Sequence, residues 1–132
     1  MLFLKRYWKS IAWAVVIFIV CTMPSDGVPR FKLFRIDHFD KFVHFSLYLI
    51  LGVLLFLESR SQEENENLTL NTVIVVGSIS IGYGILIELT QLFFTTTRSA
   101  ELLDVLANTL GFIISVIAYY VVLRVLTLFH LK

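Results

Sequence analysis

The fold class that this sequence predicts is all-α, a polytopic membrane protein built as a bundle of four transmembrane helices. Hydrophobic residues make up 58% of its 132 residues and the mean hydropathy is +0.84, whereas a soluble domain runs at about 45–50% apolar. Charged residues fall to 16%. A core of this size cannot hide the excess apolar surface, so lipid must solvate much of it. The apolar residues gather into four runs, and the polar intrusions into three of them fall at the same end of the expected bundle. The net charge of +1 is a sum of opposed patches and gives no reason to expect a nucleic-acid partner. Cys21 is the lone cysteine, which excludes an intrachain disulfide.

The first crossing is expected over residues 7–23, from the interfacial Tyr7 and Trp8 to Met23, with Pro24 as the stop. Lys5, Arg6 and Lys9 before the apolar Ile11 to Val20 resemble a secretory signal. However, Phe18, Ile19 and Val20 are too bulky for a cleavage site before Cys21, so the segment is read as a retained anchor. Residues 24–39 alternate bulky and basic side chains (Arg30, Phe31, Lys32, Leu33, Phe34, Arg35, Ile36), as in a segment lying in the headgroup plane.

The second crossing, 40–57, is short for a bilayer that needs about 20 apolar residues, so its helix should begin near Asp37. Glu58, Glu63, Glu64 and Glu66 mark 58–71 as a solvated acidic loop. The third crossing, 72–94, carries Ser78/Gly82 and Ser80/Gly84 at the spacing that lets membrane helices approach closely. After a short connection at 95–101, the fourth covers 102–123, with a small-residue stripe at Ala107, Gly111 and Ser115. The whole is one membrane domain, 1–132. Lys5, Arg6, Lys9, Arg60, Arg124 and Lys132 fall on one side of the membrane, and Arg30, Lys32, Arg35, Lys41 and Arg98 on the other. Four of the second group adjoin the polar intrusions, so the positive-inside rule favours cytoplasmic N- and C-termini.

Asp40, Lys41 and His44 open the second crossing, Glu88 and Gln91 close the third, and Asp104 and Asn108 open the fourth. These positions share one membrane level. Asp40 and His44 lie about 40° apart around their helix, and Asp104, Asn108, Gly111 and Ser115 form a similarly narrow stripe. Ionisable groups cost a few kcal/mol or more in hydrocarbon, so each stripe should face inward and the stripes should converge on a site. Arg98 hangs at the rim, in reach of Glu88 or Asp104. More ordinary roles exist for single members: Lys41 could snorkel to the interface, and Glu88 with Arg98 could be a structural ion pair.

The series Asp40-Lys41-x-x-His44-Phe45, Glu88-x-x-Gln91-x-Phe93, Arg98 and Asp104-x-x-x-Asn108-x-x-Gly111 resembles the VanZ-like family, named for a determinant of teicoplanin resistance. The resemblance covers about residues 37–115 and implies a small polytopic protein of the bacterial inner membrane and cell envelope. Where a second Asp is expected near Arg98, the chain has Ser99-Ala100-Glu101, with Glu101 as the stand-in.

Three roles fit these residues. The first is binding of the polar head of a lipid-linked cell-wall precursor, such as one carried on a polyprenyl phosphate, in keeping with glycopeptide tolerance. Asp40, Lys41, His44, Glu88, Gln91, Arg98, Asp104 and Asn108 would line that site beneath a rim of Arg30, Lys32 and Arg35, whose guanidinium and ammonium groups suit phosphate. The second is acid–base catalysis on a lipid-linked phosphate or glycan, with His44, Glu88 and Asp104 as candidates. The third is an accessory subunit that holds a membrane-protein partner within a larger envelope complex. No cofactor is expected. Nor is a metal, because the chain lacks paired His or Cys spacing and sets Lys41 and Arg98 beside the carboxylates.

Overall fold

The structure, a computed structural model, describes residues 2–23, 39–60, 67–94 and 101–129. Helix α1 (Leu2–Arg6) leads into α2 (Trp8–Thr22), followed by α3 (Phe39–Ser59), α4 (Leu70–Phe94) and α5 (Leu102–Leu128). Arg30, Lys32, Arg35, Asp37 and the rest of the expected interfacial segment up to residue 38 lie outside the described residues, as does Arg98, while Phe39 opens α3.

Three helices, α3, α4 and α5, are long and apolar enough to cross a membrane. Their bounds agree with the apolar runs to within a few residues, and α5 continues past the expected end at Leu123 to Leu128. The expected first crossing is different. Helix α2 has 15 residues, a rise of about 22 Å, and falls short of a hydrocarbon core about 30 Å thick.

Helices α3 and α5 form the most extensive interface, and small residues are the reason. A methyl group on Gly111 would land on the Phe45 carbonyl oxygen, and one on Gly52 on the Ser115 side chain. Further from the polar end, the Phe56 ring packs tilted against Phe112 and edge-on against Tyr119, at centroid distances of 6.2 and 5.9 Å. On α4, Gly77 admits the Phe112 ring, whereas Gly82 faces open space. Of the two small-residue pairs expected there, Ser80/Gly84 faces inward and is buried, while Ser78 and Gly82 face outward. Ile79, Leu86, Leu106, Ile113, Ile117 and Val121 are exposed. So much contiguous apolar surface marks contact with lipid or a partner.

Helix α2 packs on α3 and α4, burying Ile17 and Cys21. The Tyr83 hydroxyl donates to the Ala14 carbonyl at 2.7 Å, and Trp13 Nε1 donates to the Leu47 carbonyl at 3.0 Å. Its first turn is capped from across the bundle. Glu58 accepts from the Lys9 and Ser10 amides, each at 3.0 Å, and from the Ser10 hydroxyl at 2.5 Å. In return, Arg6 donates to the Glu58 and Ser59 carbonyls at the end of α3, at 2.8 and 2.7 Å. The last residue of α1 thus caps the end of α3, and the end of α3 caps the start of α2. Glu58 therefore belongs to the last turn of α3 rather than to the solvated loop expected over 58–71. Replacing Glu58 with Ala should cost about 1–2 kcal/mol, the upper range for a lost N-cap, read as a lower thermal midpoint in detergent. Because the two caps adjoin, Arg6→Ala should add less in the Glu58→Ala background than alone.

Candidate functional site

The polar end of the bundle is built by the first turns of α3, the last turns of α4 and the first turns of α5. Asp40 and His44 share a helix face, but only His44 is buried; Asp40, one turn earlier in the first turn of α3, stays exposed, contrary to the inward-facing stripe expected of both. On α4 the buried stripe is Gly84, Glu88 and Gln91; on α5 it is Asp104, Asn108, Gly111 and Ser115.

The His44 Nδ1 atom lies 3.1 Å from Asn108 Oδ1 and 3.9 Å from Glu88 Oε1. Glu88 Oε2 accepts the Glu101 amide at 3.0 Å, joining the end of α4 to the start of α5. Lys41 is ringed by carboxylates: Nζ lies 2.6 Å from Asp40, 2.5 Å from Glu101 and 3.0 Å from Asp104. The Asp104 contact is an ion pair whose angles do not make it a hydrogen bond, for Asp104 Oδ1 has no hydrogen-bond partner among the described residues. Glu88 Oε1, Asn108 Nδ2 and the Tyr48 hydroxyl are buried and equally without one. Gly84 makes room here: a methyl on it would sit 3.1 Å from Asn108 Nδ2 and 3.5 Å from the Tyr48 ring. One nitrogen of His44 and one oxygen each of Glu88 and Asp104 all lie within 4.8 Å of one another.

The expected site residues thus divide into three sets. His44, Glu88, Asp104 and Asn108 meet in the buried interior, and Lys41 bridges them to the exposed Asp40 and Glu101. Gln91 is buried but turned aside, its Nε2 donating to the Cys21 carbonyl of α2 at 2.8 Å. Arg98, Arg30, Lys32 and Arg35 fall outside the described residues. Tyr48 is an addition that no spacing announced, since a tyrosine in an apolar run reads as ordinary core. Glu101 has a weak signal: it stands three residues before Asp104 and seven before Asn108, on one helical face.

The VanZ/LLP1 family model matches residues 1–124. The chain belongs to the VanZ/LLP1 family. The match takes in α2 and the segment after it as well as the stretch from 37 to 115 that carries the motif series, so every helix around the polar site falls within the family's extent but for the last four residues of α5. With α3, α4 and α5 each able to cross a bilayer, this VanZ/LLP1 chain is an all-α membrane protein. Neither a curated protein nor a solved structure matches it.

Proposed function

We propose that this VanZ/LLP1 protein binds the polar head of a lipid-linked cell-envelope precursor at the end of the bundle where α3, α4 and α5 bring their polar groups together. The observation that carries the proposal is a set of buried polar atoms with no hydrogen-bond partner among the described residues: Glu88 Oε1 and Asn108 Nδ2, together with Asp104 Oδ1, which has only its ion pair with Lys41. Buried polar atoms normally find partners, and the hydroxyl and amide groups of a sugar or peptide head would supply them. Lys41 is already engaged by three carboxylates, so phosphate would be met by the cations expected on the flanking segments, Arg30, Lys32, Arg35 and Arg98. Antibiotic resistance, in the sense of the family's name, would follow if the bound head is what a glycopeptide recognises.

In this proposal α3, α4 and α5 cross the bacterial inner membrane and the shorter α2 makes a fourth crossing where the bilayer thins to meet it, with both termini cytoplasmic and the polar site facing outward. Cysteines placed singly at Ser99 and Asn67 in a Cys21→Ala background test that arrangement. An impermeant thiol reagent applied to intact cells should label the first and spare the second; the reverse would remove the outer-leaflet mechanism. Binding is tested by titrating the protein in lipid nanodiscs with a polyprenyl-diphosphate-linked precursor. Saturable binding should weaken at least tenfold in Asn108→Leu, a loss of about 1.4 kcal/mol. Absence of saturable binding to the unaltered protein would sink the proposal.

An acid–base enzyme is the second proposal, favoured by one contact: the buried approach of His44 to Glu88 at 3.9 Å. Turnover of the same precursor, abolished by His44→Gln, would establish it over simple binding. Retention of the chain within a larger complex, with no precursor bound, would instead point to the accessory-subunit role.

A further inference from the structure

We infer that His44, Glu88 and Asp104 form a binding site for one divalent first-row transition-metal ion, of the Zn²⁺ or Mn²⁺ class. Their candidate ligand atoms lie within 4.8 Å of one another, and all three residues are buried. An ion at the centre of such a triangle reaches every corner at an ordinary bond length of about 2.0–2.2 Å with small side-chain adjustments. The second observation is Glu88 Oε1, buried and with no hydrogen bond among the described residues, while Asp104 Oδ1 has no hydrogen bond either and only the Lys41 ammonium at 3.0 Å.

Charge points the same way. Among the described residues, Lys41 is the one Lys or Arg in contact with the cluster, and it faces Asp40, Glu101 and Asp104, with Glu88 behind. Four carboxylates against one ammonium leave, among the described residues, an excess of negative charge, which a dication would largely offset. Lys41 need not block the ion: its contacts at 2.6 and 2.5 Å to Asp40 and Glu101 can persist while Asp104 Oδ1 turns to the metal. One imidazole with two carboxylates is a borderline-to-hard donor set, suited to Zn²⁺ or Mn²⁺ and poorly suited to Cu⁺. Asn108 adjoins the site: its Oδ1 lies 3.1 Å from His44 Nδ1, the same ring nitrogen that lies 3.9 Å from Glu88 Oε1, so it helps orient the imidazole toward the carboxylates.

The inference is independent of any headgroup, because the probe is the metal alone. Full-length protein in detergent, stripped with chelator and dialysed, is titrated with Co²⁺ and followed by its d–d absorption. Binding should saturate at one ion per chain and be reversed by Zn²⁺. His44→Ala and Glu88→Gln should each weaken it at least tenfold while size-exclusion retention and helical circular dichroism stay unchanged. Lys41→Met, which removes the competing cation, should tighten it. No saturable binding to the unaltered protein would overturn the inference, as would binding that survives both His44→Ala and Glu88→Gln. If those variants fail to fold, Lys41→Met decides: unchanged or weaker Co²⁺ affinity there counts against the site.

Discussion

Gly111→Ala is expected to be among the most damaging single-methyl changes in the protein. The added carbon would meet the Phe45 carbonyl oxygen and approach the Leu49 nitrogen at 3.0 Å, and both are backbone atoms of α3 that cannot rotate aside. Relief requires α3 and α5 to move apart along their whole interface, so the cost should reach or exceed about 3 kcal/mol, the upper end of ordinary overpacking. Gly82→Ala is the matched control on α4. Nothing lies within 4 Å of its added methyl, and a helical Gly→Ala change in open space should be neutral or gain up to about 1 kcal/mol. Gly52→Ala falls between, because it strikes the Ser115 side chain rather than backbone, and Ser115→Gly should restore much of the loss. Thermal midpoints in one detergent check all four proteins. If Gly111→Ala melts with Gly82→Ala, the tight α3–α5 contact is not as described. The proposed precursor binding should fall with Gly111→Ala as well, since Asn108 and Asp104 ride on the same helix one and two turns away.

Lys41→Met should produce the second large effect. Removing the ammonium leaves Asp104 buried without its counter-ion, and breaking one side of a buried pair costs about 3–5 kcal/mol. The side chains of Asp40 and Glu101 are 49% and 45% exposed, so water screens their share, whereas Asp104 is 7% exposed. The expected loss therefore sits at the lower end, about 3 kcal/mol. Adding Asp104→Asn should recover most of it, and adding Asp40→Asn very little. Equal rescue by the two would mean that Lys41 serves the surface rather than the interior.

Much of this was legible in the chain. Apolar runs delimit α3, α4 and α5 because lipid forces every crossing to be a continuous apolar helix. Helical phase alone turns His44, Glu88, Asp104 and Asn108 inward from three separate runs. What escaped depends on contacts across the bundle. Nothing near Glu58 says that it will cap a helix almost fifty residues earlier; locally it is one more acid at the edge of an acidic loop. Lys41 reads as an interfacial cation until the start of α5 brings Glu101 and Asp104 to its amine. Gln91 shares the face of Glu88, yet α2 lies close enough to claim its amide through the Cys21 carbonyl. Composition also sets the end of an apolar run better than the end of a helix, so α2 is shorter than the crossing expected of it.

The exchange of caps between Arg6 and Glu58 bears on biogenesis. Helix α2 is synthesised before α3, and the carboxylate that satisfies its leading amides follows 49 residues after Lys9 and 48 after Ser10. Until that carboxylate arrives, those amides need water or lipid headgroups, because hydrocarbon offers them nothing. The segment made first is thus expected to be seated only after α3, docking when the far end of α3 has emerged and folded beside it.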